Sequence, residues 1–282
     1  MSTASVFRKD ILDVRRAKIV WFVGLLFTLV TVLFFYQVWE FGGQEGFDSV
    51  LTALWSLTFI GALFIPAIAL VAAYLSIAGE RESGSIKFLL STPINRRELV
   101  VGKFVSRTII VAASCLLAFA VAAVLTVIWF DALRPGVFVG VAAMTTLYAL
   151  AYVAVAIAIS ASTASRSRAM GGALGFYFLT NLLVIFGDLS IRGLLEYVLN
   201  DLLSLGIAQD VLDFITMVIS PTQSYLATTF LTFPEDWLVV NGFTPSDTAW
   251  YASGEMGLFL LVMWLVVPLA FGIWRFDEAN IG

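Results

Sequence analysis

Six long apolar stretches constrain the fold of this chain more than any other feature of its sequence. They cover residues 19–39, 50–78, 104–130, 137–161, 169–187 and 257–274. Because a helix rises about 1.5 Å per residue, about 17 to 20 residues cross the ~30 Å hydrocarbon core of a bilayer. Hydrophobic residues make up 60% of the 282 positions and charged residues only 13%. We therefore predict an all-α integral membrane protein with six transmembrane helices in one domain, residues 1–282.

The basic residues are unevenly distributed between the two predicted faces of the membrane. If the N-terminus is cytoplasmic, all 16 Lys and Arg residues except Arg134 and Arg192 lie on the cytoplasmic side. Cytoplasmic loops of membrane proteins carry an excess of Lys and Arg. We therefore predict that both termini are cytoplasmic and that residues 188–256 form an external region.

Residues 1–18 combine apolar and basic side chains at helical spacing. Phe7, Ile11 and Val14 recur along one side, and Arg and Lys residues fill the other arcs. A basic amphipathic helix of this kind lies in the membrane surface, with its charges among anionic headgroups. We predict an N-terminal interfacial helix here; the alternative is an ordinary basic flank of the first span.

Side chains that commonly catalyse reactions or bind metals are scarce. The chain has no His, and its single cysteine, Cys115, lies within a predicted span, so an internal disulfide and a cysteine metal site are both excluded. No Asp, Glu, Lys or Arg lies in the central part of a predicted span. Because proton-coupled carriers generally need such a group, proton-driven transport is disfavoured. We predict no catalytic residue and no metal site.

The segment between the second and third spans, residues 79–103, is too long for a simple connection. It reads GERESGSIKFLLSTPINRRELVVGK and carries eight charges. We predict a short helix at residues 85–91 that exposes Ile86, Leu89 and Leu90, because Pro93 stops a helix and restricts the residue before it. Asn95 with Glu98 three residues later has the spacing of a capping box and predicts the start of the third span. The alternative is a solvated charged loop.

The external region has a pattern of its own. Apolar residues recur from Ile191 to Leu203 at the spacing of an amphipathic helix, and a second apolar stretch covers residues 211–219. We predict extracytoplasmic helices that lie on or dip into the outer leaflet, followed by an aromatic segment at headgroup depth. The acidic residues match no metal-loop spacing and predict a solvated surface: Asp210, Asp213, Glu235, Asp236, Asp247 and Glu255.

A pair of glycines in the fifth span indicates close helix packing. Gly171 and Gly175 form a Gly-x-x-x-Gly motif, which allows the backbone of another helix to approach. The motif predicts either a dimer interface or packing within the chain, and the sequence alone leaves both open.

Residues 80–103 resemble the segment that follows the second span of ABC type-2 permeases. Lys87 and Phe88 depart from the usual residues of that family, which are often acidic and Leu. The six spans, the Ser220-Pro221 element and the ending Arg-Phe-Asp-Glu-Ala-Asn-Ile extend the resemblance over most of the chain, and the permeases of nitrous-oxide reductase maturation systems are the most similar group. The matching positions are Glu80, Arg81, Glu82, Gly84, Ser85, Leu89, Leu90, Ser91, Pro93, Ile94, Arg96, Glu98, Gly102 and Lys103.

The resemblance implies that residues 79–103 hold a cytoplasmic coupling helix that docks into a nucleotide-binding subunit. The chain has no Gly-x-x-x-x-Gly-Lys-Ser/Thr motif, so ATP and Mg would be bound by that partner and this chain would hold no cofactor and be no enzyme. The coupling residues implied are Glu80, Arg81, Glu82, Gly84, Ser85, Ile86, Leu89, Leu90, Pro93, Arg96 and Glu98.

The complex implied by the resemblance has two ATPase subunits and two permease subunits, the second permease being identical or related. It would lie in the plasma membrane of a bacterium or archaeon, bind no nucleic acid, and export a substrate that the sequence does not identify. Two alternatives stay open. One is a mechanical transmitter or maturation factor that acts on an external partner without bulk transport; the other is a secondary carrier or channel.

Overall fold

The structure is a computed structural model that describes residues 18–41, 47–91, 94–130, 133–181, 190–243 and 248–280. All regular secondary structure in these ranges is helical. The predicted interfacial helix falls almost entirely on residues outside the described ones, since the first helix begins at Lys18. The helices are α1 (Lys18–Phe41), α2 (Phe47–Ala73), α3 (Ala78–Glu82), α4 (Ser85–Leu90), α5 (Arg96–Phe130), α6 (Pro135–Ser162), α7 (Arg166–Thr180), α8 (Ile191–Glu196), α9 (Gln209–Ile219), α10 (Pro221–Thr229), α11 (Glu235–Val240) and α12 (Gly254–Asp277).

Five of the described helical segments are long and apolar enough to cross a membrane: 24–41, 48–82, 96–130, 135–162 and 254–277. The fifth predicted span corresponds to α7, of which 15 residues are described, while residues 182–187 lie outside the described ranges. The six-span arrangement therefore stays a prediction. The all-helical fold of the described residues is as expected.

Helix α6 forms the centre of the bundle. It packs against α12, α2 and α5, and α1 packs on the outside of α5. The run from Ala151 to Ala158 is almost completely buried, because its alternating Ala residues let neighbouring backbones come close. On the facing helix, a Cβ atom added to Gly272 would lie only 2.8 Å from Ala158 Cα. Small residues on both helices therefore set the distance between α6 and α12.

Helix α2 ends earlier than the sequence predicts. Its α-helix stops at Ala73, and a turn over residues 74–77 leads into α3. The buried hydroxyl of Ser160 on α6 accepts hydrogen bonds from the backbone N–H groups of Ile77 and Ala78, both at 3.0 Å. A buried polar partner thus compensates the backbone groups that the break leaves unpaired. We call residues 78–91, which contain α3 and α4, the elbow.

Helices α9 and α10 form a hairpin that enters the bundle from the end opposite the elbow. The chain reverses at Ser220 and Pro221, where the Ser220 side chain accepts a hydrogen bond from Gln223 N and Pro221 occupies the first helical position. At this tip, Thr222 contacts Tyr148 near the middle of α6, whereas Thr232, just after α10, lies against Gly140 near the start of α6. The hairpin therefore reaches about halfway into the bundle. We refer to it as the hairpin below.

Residues 191–202 are helical, as the periodicity predicts, but the helix changes character along its length. An α-helix over Ile191–Glu196 continues as a π-helix over Tyr197–Leu202. Arg192 joins this segment to the hairpin by an ion pair with Asp213, with Nε 2.5 Å from Oδ1. The position of these helices at a membrane surface stays a prediction.

Candidate functional site

The elbow is held by three consecutive charged residues, Glu80, Arg81 and Glu82. Each of their side chains contacts a different helix of the bundle. Between α3 and α4, Gly84 has φ +74°, a left-handed conformation that side chains other than glycine adopt only with strain. The resemblance places Gly84 among the coupling residues, and the backbone conformation of the turn between α3 and α4 is a physical reason for a glycine there.

Glu80 pairs with Lys103 of α5. The Lys103 Nζ lies 2.6 Å from Glu80 Oε1, and the Lys103 side chain is only 6% exposed. Burying a charge is costly unless a counter-charge is close. The contact therefore joins the elbow to α5. Separating the two charged groups would cost a large free energy, because each would lose its counter-charge in a largely buried place.

Arg81 contacts the end of α6. Its guanidinium donates to the carbonyl oxygens of Ala161 (3.2 Å) and Thr163 (3.1 Å) and lies 6.0 Å from the centre of the Phe276 ring of α12. The last carbonyls of a helix lack partners within the helix and carry partial negative charge. A cation is the appropriate side chain at this position, and here it is turned toward the bundle.

Glu82 contacts the start of α7. Its carboxylate accepts a hydrogen bond from the backbone N–H of Arg166 at 2.6 Å, and the Arg166 Nε lies 3.8 Å from the same carboxylate. The start of a helix carries unpaired N–H groups and partial positive charge, which favour an anion. Glu82 therefore both caps α7 and ties it to the elbow.

The start of α5 is held to the end of α12. Arg96 donates to three backbone carbonyls there, those of Phe276 (3.1 Å), Asp277 (2.7 Å) and Ala279 (2.7 Å). The predicted capping box is confirmed, since Glu98 N donates to Asn95 Oδ1 at 2.8 Å and Asn95 N donates to Glu98 Oε2 at 3.0 Å. Pro93 lies outside the described residues.

The exposed face of α4 differs from the predicted one. Ile86 is 1% exposed and belongs to the hydrophobic core, and Leu89 and Leu90 are half-buried against that core. The prediction that Ile86 projects outward is therefore wrong, because the three apolar residues form the stripe by which α4 packs on the bundle. Phe88 is 79% exposed and Lys87 beside it is exposed as well. Phe88 lies outside the apolar stripe of α4. Its position relative to Ile86, Leu89 and Leu90 is the sequence signal that could have indicated an exposed aromatic side chain.

The two glycines of α7 face away from the described part of the chain. No atom lies within 4 Å of a Cβ added to Gly171 or Gly175, whereas one added to Gly172 would lie 3.0 Å from Ile159. Met170, Leu174 and Phe178 are exposed on the same helix. Of the two possibilities that the motif left open, packing against the described residues of the same chain is not observed.

A network of buried hydroxyl and amide groups lies halfway along the bundle, and sequence reasoning missed it because it considered only ionisable groups. Its members come from α6, the end of α7 and the tip of the hairpin. All are at most 3% exposed. We call this set the mid-bundle network: Tyr148, Tyr152, Thr180, Asn181 and Thr222.

Asn181 is the centre of the mid-bundle network. Its Nδ2 donates to Tyr152 Oη at 2.8 Å, and its Oδ1 accepts from Thr222 Oγ1 at 2.6 Å. Tyr148 Oη donates to the carbonyl of Ala62 at 2.8 Å and lies 2.9 Å from Thr222 Oγ1. These bonds satisfy groups that would each be costly to bury alone. They join α7, α6 and the hairpin at one point.

Comparison with known proteins gives consistent matches. A model of the ABC-2 family transporter proteins matches residues 4–281. A probable ABC transporter permease protein NosY of Pseudomonas aeruginosa is 28% identical over 277 residues, which cover 96% of this chain and 97% of that protein. A protein of the same name from Stutzerimonas stutzeri is 30% identical over 195 residues, 68% of this chain and 70% of its own length.

Proposed function

The chain belongs to the ABC-2 family of transporter proteins, and from this premise we propose that it is a permease subunit that forms an export pathway driven by a separate ATPase. The observation that carries the proposal is the elbow, which presents the exposed Phe88 while its charged residues are tied to α5, α6 and α7. A force applied to the elbow would therefore act on several spans together. ATP and Mg are assigned to the partner subunit.

The proposed docking surface consists of Phe88 and Lys87, with the exposed Ser85 and Ser91 beside them. An exposed aromatic residue at the tip of a protein is a common anchor in a partner's groove, and aromatic residues are enriched among the positions that dominate binding. Glu80, Arg81 and Ile86 are assigned a different part: they hold the elbow to the bundle and do not touch the ATPase.

Phe88→Ala should weaken association with the ATPase subunit by about 1 to 3 kcal/mol, because it removes the central apolar anchor. The measurement is the dissociation constant of the purified permease and ATPase in detergent or nanodiscs. Phe271→Ala, which removes a 47% exposed ring from α12, is the matched control and should leave binding unchanged. Equal affinity of wild type and Phe88→Ala would show that α4 is not the docking element.

We place the elbow in the cytoplasm, and we place α8, α11 and the end of the hairpin that lies away from its tip on the outer side, as the distribution of basic residues predicts. In a Cys115→Ala background, Val240→Cys on α11 should react with a membrane-impermeant thiol reagent in intact cells, since Val240 is 85% exposed. Ser83→Cys in the elbow is the counterpart and should react only after lysis. The reverse pattern would overturn the orientation.

We propose further that two permeases pair through the exposed face of α7, because Gly171 and Gly175 leave open space that a second helix can occupy. Gly175→Leu should then reduce the dimer fraction of the purified complex. Gly136→Leu places the same side chain at another position with open space and should have no effect. A complex of one permease with two ATPases would refute pairing.

A second candidate function is mechanical transmission to an external partner without bulk transport. It is favoured by the ion pair of Asp213 with Arg192, which joins the hairpin to α8. It is also favoured by the resemblance of the sequence to the permeases of nitrous-oxide reductase maturation systems. ATPase activity of the reconstituted complex separates the two functions. Stimulation by a solute supports export, whereas stimulation by an external protein alone supports transmission.

A further inference from the structure

Helix α7 is held at both of its ends by polar contacts. At the elbow end, Arg166 N donates to the Glu82 carboxylate at 2.6 Å. At the other end, Ser220 Oγ at the hairpin tip donates to the carbonyl of Thr180 at 3.1 Å, and Thr222 donates to Asn181 at 2.6 Å. The 15 residues between these ends form a rod of about 22 Å.

The flanks of α7 are comparatively open. Ala169, Ala173 and Thr180 are its buried residues, and Leu174, Phe178 and Leu179 are exposed. The lateral contacts include the hydroxyl of Tyr177, which donates to the Leu63 carbonyl at 3.1 Å. Within its own chain, α7 is tied at its ends and has few buried residues along its length, so it can shift along its axis at less cost than α6, whose run from Ala151 to Ala158 is almost completely buried.

We infer that α7 is a strut that transmits movement of the elbow to the hairpin, with Glu82 as the contact at one end and Asn181 as the contact at the other. The inference rests on the proposed function, which supplies the movement of the elbow. Asn181 is a positioning residue in this scheme. It contacts no docking surface, since it is 2% exposed, and it lies a full helix length away from Glu82.

The two end contacts differ in kind, and both suit a transmitting role. The Glu82 contact joins a carboxylate to the positive end of a helix, and it holds under either push or pull while the charge is present. The Asn181 contacts are buried, since every member of the mid-bundle network is at most 3% exposed, and a separated amide there would have no water to bind. A shift of α7 therefore carries Thr222 and the hairpin tip with it. From the tip, α9 leads outward to Ala208 at its start.

The experiment uses the full-length chain with its ATPase subunit in nanodiscs. A bimane fluorophore is attached to Ala208→Cys, an exposed position at the start of α9, in a Cys115→Ala background. In the wild type, ATP should change the bimane emission. Asn181→Leu should reduce that change at least about five-fold, the ratio that corresponds to ~1 kcal/mol of coupling, while ATPase binding stays intact.

Glu82→Ala should reduce the bimane response as well. The double variant Glu82→Ala, Asn181→Leu should keep the same residual response as the more strongly impaired single variant, because both changes interrupt one path. Thr222→Val should act like Asn181→Leu, whereas Thr222→Ser, which keeps the hydroxyl that bonds Asn181, should respond like the wild type. This pair of variants tests the inference even if Asn181→Leu fails to fold. Two controls should respond like the wild type. Thr146→Val removes a hydroxyl that donates to the Ala142 carbonyl of its own helix, and Asp277→Ala removes the ion pair between α12 and the exposed Arg97 of α5.

The possible outcomes separate the inference from the function on which it rests. If the wild type responds to ATP and Asn181→Leu and Thr222→Val respond equally, the strut is refuted and the proposed function stands. If the wild type binds no ATPase, the proposed function fails and the inference fails with it. If the variants are silent while the two controls respond, the inference is supported.

Discussion

Gly257→Ala should lower the free energy of unfolding by about 2 to 3 kcal/mol, although it adds a single methyl group. A Cβ atom at this position would lie 2.8 Å from Ser224 O and 2.9 Å from Ala227 Cβ, and 3.2 Å from Thr228 N. Two of these atoms belong to the backbone of α10, so no side-chain rotation relieves the clash. The hairpin must move away from α12.

The same substitution at Gly136 is the control. No atom lies within 4 Å of a Cβ added there, and Ala is a better helix former than Gly, so Gly136→Ala should be neutral or stabilising by less than about 1 kcal/mol. Thermal unfolding in detergent, followed by circular dichroism, measures both variants. Equal midpoints for the two would mean that the hairpin does not pack against α12 as described.

Lys103→Met should cost about 3 kcal/mol of stability, because it leaves the Glu80 carboxylate without its counter-charge in a largely buried place. Glu80 Oε1 then loses its partner, and Glu80 Oε2 already has no hydrogen-bond partner among the described atoms. The cost lies toward the lower end for buried pairs because the Glu80 side chain is 25% exposed. The same unfolding measurement applies.

A second change tests the cause of that loss. Adding Glu80→Gln to Lys103→Met removes the stranded charge and should recover more than about half of the lost stability. Arg97→Met breaks the neighbouring pair with Asp277, in which Arg97 is 74% exposed, and should cost less than about 1 kcal/mol. If Lys103→Met and Arg97→Met prove equally mild, the Glu80–Lys103 pair does not hold the elbow.

The helical fold and the start of α5 could be predicted because both depend on local sequence. Apolar runs of spanning length indicate helices, and the Asn95–Glu98 capping box is completed within four residues. The end of α2 could not be predicted in the same way. Its break at Ala73 depends on Ser160, a partner more than 80 residues away that satisfies the freed backbone groups.

The direction in which α4 faces also lies beyond local sequence. A helix of six residues carries apolar side chains on one face whether that face meets a partner or its own bundle. The contacts of Glu80, Arg81 and Glu82 with α5, α6 and α7 hold the elbow so that the apolar face of α4 packs on the bundle. The mid-bundle network shows the same limit. Tyr and Thr residues spread over α6, α7 and α10 carry no common motif, and only the tertiary fold brings Asn181 and Thr222 together.

The contacts of Arg96 also bear on the biosynthesis of the chain. Its acceptor carbonyls at Phe276, Asp277 and Ala279 are made 180 or more residues later, after every other span has left the ribosome. Until α12 is inserted, the start of α5 lacks its anchor and the guanidinium must find water or lipid phosphate. A nascent or truncated chain therefore lacks the tie between the start of α5 and the end of α12. Under the proposed function, we expect such a chain to bind the ATPase subunit less tightly than the chain whose last helix is in place.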